Sequence, residues 1–369
     1  MLSYKFRIYP SKTVQEKLNE QLELCRWLYN RLLWECNKAR EEGRKLTKKE
    51  AQAMIVKLKE ENPELKKVYS KVLQMVNYQL FSNMKALSRL KKKGKKIGKL
   101  RYKGSWFKTL NFNQSGFKLA ENRLVLSKVG GIPIKLHREI KGVVKGVIIK
   151  KEKSGKWFAI FQVEDSPKPL PKTNRIVGID VGVKHFLTDS DGRQIENPRF
   201  YEKSLKRIRW LHRELSRKKK ESNNREKARV RLAKAYEKLV NQRNDFLHKL
   251  SRFYVDNYDV ITIEDLKIIN MVRNHWLAKA ILDSSWNRFF EMLSYKAERA
   301  GRIVLKVNPK GTSKGDKNLD RDYRASINIL NRGLVGLGRP EFTPVETEPL
   351  PVRASSVVEA GSPIQSSIG

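Results

Sequence analysis

Residues 175–184 read RIVGIDVGVK, and this stretch decides the fold. Ile176, Val177 and Ile179 form a short apolar run around Gly178 that ends on Asp180, with Gly182 just beyond. Such a run, bounded by turn residues, reads as a strand buried in a sheet. The next run, HFLTDS, closes on a DSDG turn and reads as its hairpin partner. Helical spacing then takes over across 203–250. Leu205, Ile208, Leu211 and Leu215 lead, and Leu232, Ala235, Leu239, Phe246 and Leu250 follow a break near Ser222-Asn223-Asn224. After these come the strand VITIED (260–265), a helical stretch, the strand RIVLKV (302–307) and a last helix in LDRDYRASINIL (319–330). Strand, hairpin, helices, strand, helix, strand, helix is the pattern of an α/β sheet. Sheets of this kind collect functional groups at strand C-termini and helix starts.

Three carboxylates fall at such places. Asp180 ends one strand, Glu264 closes another, and Asp322 opens the last helix, whose apolar side carries Ala325, Ile329 and Leu330. Each has a rival reading: Asp180 as a turn acid, Asp265 in place of Glu264, and Asp320 as an equally good helix cap beside Asp322. Converging carboxylates repel unless cations bind, and hard oxygen ligands favour Mg²⁺ or Mn²⁺. A pair of such ions suits hydrolysis of a phosphodiester. The sequence holds no G-x-x-x-x-G-K-[ST] loop, no H-E-x-x-H and no G-x-S-x-G elbow, and its five histidines are scattered.

Upstream, DSPKPLPKTN (165–174) reads as a linker between domains. The chain opens with LSYKFRIY (2–9), which alternates Leu2, Tyr4, Phe6 and Ile8 against Ser3, Lys5, Arg7 and Tyr9, a half-buried strand ended by Pro10. Ser11 or Thr13 starts a helix carrying Val14, Leu18, Leu22, Cys25, Leu28, Leu32 and Cys36 on one face, which makes both cysteines core residues. Further helical patterns cover 48–60 and 68–90. Short β-runs fill 109–165, separated by SG, EN, GG and KSGK, a spacing that predicts a small barrel completed by the orphan strand 2–9. Between them lies KALSRLKKKGKKIGKLRYKGSWFK (85–108), without Asp or Glu. Lys91, Lys92, Lys93, Lys95, Lys96, Lys99, Arg101, Lys103 and Trp106 are its candidate nucleic-acid contacts, with Tyr102 and Phe107 also placed to stack on bases. Residues 206–243 are a second basic stretch. From about 339 the chain is rich in Pro, Ser and Glu and is expected to be a disordered tail, 339–369.

Lys and Arg number 79 against 39 Asp and Glu, a net charge of +40 over 369 residues. Repulsion on that scale calls for a polyanion, and nucleic acid is the usual one. No apolar run approaches the ~18 residues of a membrane span, and no signal peptide is evident, so no membrane partner and a cytoplasmic, nucleoid-associated location are expected. With only Cys25 and Cys36, a four-cysteine zinc site is impossible.

At these residues the chain resembles TnpB, the transposon-encoded RNA-guided nuclease family related to type V CRISPR effectors. The likeness runs from residue 1 to about 338 and rests on KFRIYPSK, GIDVGVK, ITIEDL, VNPKGTSK and DRDYRASINIL. It implies an α+β multidomain fold. An N-terminal wedge β-barrel (1–10 and 91–166) would be interrupted by a helical recognition insertion (11–90), followed by an RNase H-like α/β RuvC nuclease domain (172–338). It implies the triad Asp180, Glu264 and Asp322 holding two Mg²⁺ ions (or Mn²⁺), with Asp322 rather than Asp320 matching the family's catalytic position. The implied partners are a structured guide RNA and double-stranded DNA with a short flanking motif, with one protein per RNA. Two departures stand out. The family's four-cysteine zinc ribbon is missing at 311–320, so no zinc is predicted, and Arg324 stands where the family commonly has Asn. The missing ribbon leaves a second reading, a guided DNA-binding protein (repressor or transposition accessory) that cuts weakly or not at all. A third, an RNA-independent transposase or resolvase of RNase H type, would bind specific DNA without RNA.

Overall fold

The computed structural model describes residues 1–105, 107–314 and 319–338. Trp106, residues 315–318 and the expected tail at 339–369 lie outside the described residues. The chain divides between Ser166 and Pro167 into two units.

In the first unit, β1 (Leu2–Ile8) buries Phe6 and Ile8 and leaves Lys5 and Ser3 outside, the alternation its sequence predicts. Ser11, not Thr13, caps α1 (Lys12–Glu41), its hydroxyl accepting from the Val14 amide. Both cysteines are buried on this helix, and burial pushes the Cys25 thiol up to about 12 and Cys36 up to about 11, so neither is a nucleophile at neutral pH. A Thr47–Glu50 capping box opens α2 (Lys48–Glu61), and α3 (Ser70–Lys92) follows. Six strands come next: β2 (Thr109–Asn113), β3 (Phe117–Ala120), β4 (Arg123–Leu126), β5 (Gly130–Lys135), β6 (Val143–Lys151) and β7 (Trp157–Glu164). With β1 they make one sheet in the order β2-β6-β7-β1-β5-β4-β3, and β1 lies antiparallel to both β7 and β5.

The sheet is strongly curled. Phe117 on edge strand β3 stands four strands from Phe161 on β7, about 19 Å across a flat sheet. Their rings are 6.5 Å apart. The two edge strands, β2 and β3, are joined by only Gln114–Gly116. The concave side encloses Phe6, Phe112, Ile132, Val147 and Phe161 in one core with α1 and α3. Phe107 belongs to that core too, buried with its ring 6.3 Å from that of Tyr29, so the expectation that it stacks on bases is corrected. A large apolar ring at the start of a barrel strand gains more from burial than from exposure among lysines.

The second unit is built on β8 (Ile176–Val181), β9 (His185–Asp189) and β10 (Gln194–Glu196), then α4 (Phe200–Ser216) and α5 (Asn223–Asn257), then β11 (Val260–Glu264). It continues through α6 (Ile268–Met271), α7 (His275–Ser284), α8 (Trp286–Ala300), β12 (Ile303–Val307) and α9 (Arg321–Gly336). Strand order is β10-β9-β8-β11-β12, with β8, β11 and β12 parallel and the hairpin antiparallel. Period 2 divides the faces. Val177, Ile179, Ile261 and Ile263 enter a core with Phe246, Leu250 and Tyr254 of α5 and Phe289 and Leu293 of α8. Gly178 and Thr262 turn the other way, towards α9. Among the described residues no helix is long and apolar enough to cross a membrane.

Candidate active site

The register of the parallel strands puts two of the acids side by side. Ile263 pairs with Ile179, so one residue further on each strand Glu264 stands beside Asp180 on the face shared with Thr262 and Gly178. That face is covered by α9, which comes unusually close because both surfaces carry glycine. A Cβ at Gly178 would lie 2.1 Å from Ser326 O, and one at Gly333 would lie 2.4 Å from Thr262 Oγ1. The helix runs antiparallel to β8, so its first turn arrives at the strand C-termini. There the Asp322 carboxylate comes near Gly182, 4.0 Å from where a Cβ would stand.

The cap of α9 separates the two acids of DRD. Asp320 is the N-cap, its Oδ1 accepting from the amides of Asp322 at 3.0 Å and Tyr323 at 3.1 Å. Its carboxylate is spent on the helix end, and Asp322 is left half-buried towards the strand ends. On β11 parity separates the two acids: Glu264 is buried and Asp265 is exposed. Arg324, half-buried in the same turn, donates its backbone N–H to Asp320 O.

The electrostatics carry the mark of acids gathered without enough positive charge. Burial, then repulsion from Glu264 and Asp322, pushes the Asp180 carboxyl up to about 7, against small offsets from the Val181 amide and Arg321. Glu264 is raised by burial, partly offset by a hydrogen bond from Thr312 and by Arg332. The donor set is hard oxygen, suited to a divalent cation. Yet among the described residues no three His, Cys, Asp or Glu side chains stand close enough to hold an ion by themselves. The acids lie within electrostatic reach of one another without closing on one point. Mg²⁺ tolerates this, because it keeps several waters and is commonly held by one or two carboxylates plus substrate phosphate.

Sequence reading missed the residues that support Glu264. Thr312 Oγ1 donates to Glu264 Oε1 at 2.6 Å from the loop after β12. That loop is tied to α9. Asn328 Nδ2 donates to Thr312 O at 2.7 Å and Lys314 O at 2.8 Å, while Arg332 Nη1 donates to Asn308 O and Lys310 O. The available signal was Asn328 and Arg332 four apart on a polar side of α9, facing the polar loop NPKGTSK.

Each unit also carries a basic groove. In the first unit, Lys91, Lys95, Lys96 and Lys99 line with Arg40 a cavity of about 500 Å³ between α1, α3 and the irregular segment after α3. Asn30 clamps that segment, exchanging hydrogen bonds with the backbone N–H and C=O of Lys103. In the second unit, Lys203 and Arg207 of α4 face Arg231, Lys234 and Lys238 of α5 across a groove of about 650 Å³, with Trp210 at its edge 55% exposed.

A barrel-like sheet with helices, an α/β sheet with acids at its strand ends, and a strongly basic surface define a class: multidomain proteins that act on nucleic acid. The solved Cas12f1–sgRNA–target DNA complex contains a chain of similar fold, with TM-score 0.53 over 87% of this chain and 83% of that one, at 12% identity. A family described as "Probable transposase" (OrfB of IS605) matches residues 160–275, and one described as "Cas12f1-like, TNB domain" matches 286–318. A third, described as a helix-turn-helix domain, matches 1–45, which here fold as β1 and the unbroken helix α1. A "Putative RNA-guided DNA endonuclease" of Streptomyces pristinaespiralis is 30% identical over 90% of this chain and 89% of its own length. The "Putative RNA-guided DNA endonuclease InsQ" of Escherichia coli K12 is 30% identical over 84% and 81%. The chain belongs to the TnpB family, the OrfB proteins of IS605-type transposons.

Proposed function

We propose that this chain is an RNA-guided DNA endonuclease that hydrolyses guide-matched DNA at Asp180, Glu264 and Asp322. What supports the reading is that these acids lie within electrostatic reach of one another at the ends of β8 and β11 and the start of α9, in a chain whose relatives are named for that activity. In this reading residues 172–338 are an RNase H-like RuvC domain, 1–10 and 91–166 the wedge, and 11–90 the recognition insertion.

Asp180, Glu264 and Asp322 would hold divalent ions, Mg²⁺ or Mn²⁺, with phosphate and water completing the coordination. When bound, such ions supply an activated water and stabilise the leaving oxygen of the phosphodiester. The protein's own part is to desolvate the acids and keep Asp320 occupied as a cap so that Asp322 stays available. Guide RNA neutralises much of the +40, and base pairing reads the sequence while the protein reads backbone and a flanking motif. The 91–103 segment and the α4–α5 groove offer the phosphate contacts, one protein serving one RNA.

The absence of the four ribbon cysteines favours a second reading, an RNA-guided DNA-binding protein with weak or no cleavage. One experiment separates them. The protein copurified with its RNA is incubated with a guide-matched plasmid in Mg²⁺, beside Asp322→Ala and EDTA controls. Linearisation lost in both controls supports the nuclease; target binding without cutting supports the second reading.

A further inference from the structure

We infer that Thr312 is the positioning residue for Glu264, and that Asn328 and Arg332 hold it in place. The inference rests on the proposed nuclease reading for its consequence but on geometry alone for its content. Glu264 closes a strand, where its register with Val307 fixes the backbone but not the rotamer of so long a side chain. The Thr312 hydroxyl removes that freedom by donating to Oε1 at 2.6 Å, in a buried setting where a charge-assisted bond is strong. One carboxylate oxygen is thereby anchored.

Residues 308–314, which bring Thr312, carry no helix or strand, so their placement needs ties. Asn328 satisfies the carbonyls of Thr312 and Lys314, and Arg332 those of Asn308 and Lys310. Both side chains project from α9, the helix that carries Asp322 in its first turn. The loop therefore registers the acid of β11 against the acid of α9, whose distance otherwise depends on helix packing alone. No step of the proposed hydrolysis passes through Thr312 itself.

Supporting groups of this kind typically alter metal affinity or activity by about 10–100-fold when removed. The test uses the full-length RNA complex as wild type, Thr312→Val and Thr312→Ser. Fe²⁺ with ascorbate and peroxide serves as the probe, because iron in the site cuts the polypeptide locally beside residues 180 and 264. Thr312→Val, which keeps the shape and removes the hydroxyl, is expected to raise the Fe²⁺ needed for half-maximal fragmentation by about 10–100-fold. Target binding should stay unchanged, melting temperature should fall only by the modest amount that loss of one buried hydrogen bond brings, and Thr312→Ser should restore the wild-type iron requirement. Wild-type iron dependence in Thr312→Val, or failure of Thr312→Ser to rescue, overturns the inference. Absence of plasmid cleavage by the wild type, with the fragmentation shift intact, would instead sink the nuclease reading and leave this one standing.

Discussion

Gly178 of β8 and Ser326 of α9 meet backbone to backbone: a side-chain carbon at 178 would stand 2.1 Å from the Ser326 carbonyl oxygen. This contact sets how near Asp322 comes to Asp180. Gly178→Ala must push α9 outward, and forced overpacking of this kind costs about 1–3 kcal/mol or more. Thermal unfolding should show the loss, and cleavage should fall further than stability explains because the acids separate. Gly333→Ala meets a threonine side chain rather than backbone, so its effect should be smaller. Equal effects would count against this account.

The two acids of DRD should respond differently. Asp322→Ala is expected to abolish plasmid cleavage with RNA and target binding nearly intact. Asp320→Ala removes the cap of α9, at about 1 kcal/mol, and should lower melting temperature while leaving residual cleavage. Full cleavage by Asp322→Ala would show that the triad is misassigned.

The metal-free site should make stability fall as pH rises. Folding raises the Asp180 carboxyl from 3.8 to about 7, so between those values the folded state binds more protons than the unfolded one. Stability from this group is full below the unfolded value and is lost as pH climbs through the folded value. In EDTA, Asp180→Asn should therefore melt above wild type at pH 8, with the gap closing towards pH 5. Added Mg²⁺ should stabilise the wild type at pH 8 and leave Asp180→Asn unmoved, since cation and proton compete for the same carboxylates.

Trp210 stands exposed at the mouth of a groove with Lys203, Arg207, Arg231, Lys234 and Lys238. If a nucleotide stacks there, Trp210→Ala weakens RNA binding by about 1–3 kcal/mol in filter-binding titrations, with little change in salt dependence. Lys234→Ala and Lys238→Ala should instead reduce the slope of log affinity against log salt, each by about one unit or less. An unchanged affinity in Trp210→Ala would remove the groove from the RNA path.

Much of this architecture was legible without coordinates. The alternation in LSYKFRIY, the apolar runs RIVGID, VITIED and RIVLKV, and the helical spacing of α1 and α5 are local patterns, and each element formed where its period placed it. The apolar runs already put Asp180 and Glu264 at strand ends, though they left Asp265 as a rival, and the lysine-rich composition already called for a polyanion. Composition also excluded a four-cysteine zinc site. What tertiary structure decided are the relations between residues far apart in the chain, because a side chain's partner across a fold leaves no periodic trace at either position. Only packing shows that Phe107 fills a core instead of meeting bases, that Asp320 is consumed as a cap, and that Thr312 reaches Glu264, 48 positions earlier in the chain. The closeness of α9 to its sheet was written in Gly178 and Gly333, but a glycine in a strand or helix states that something passes near, and only the folded chain says what.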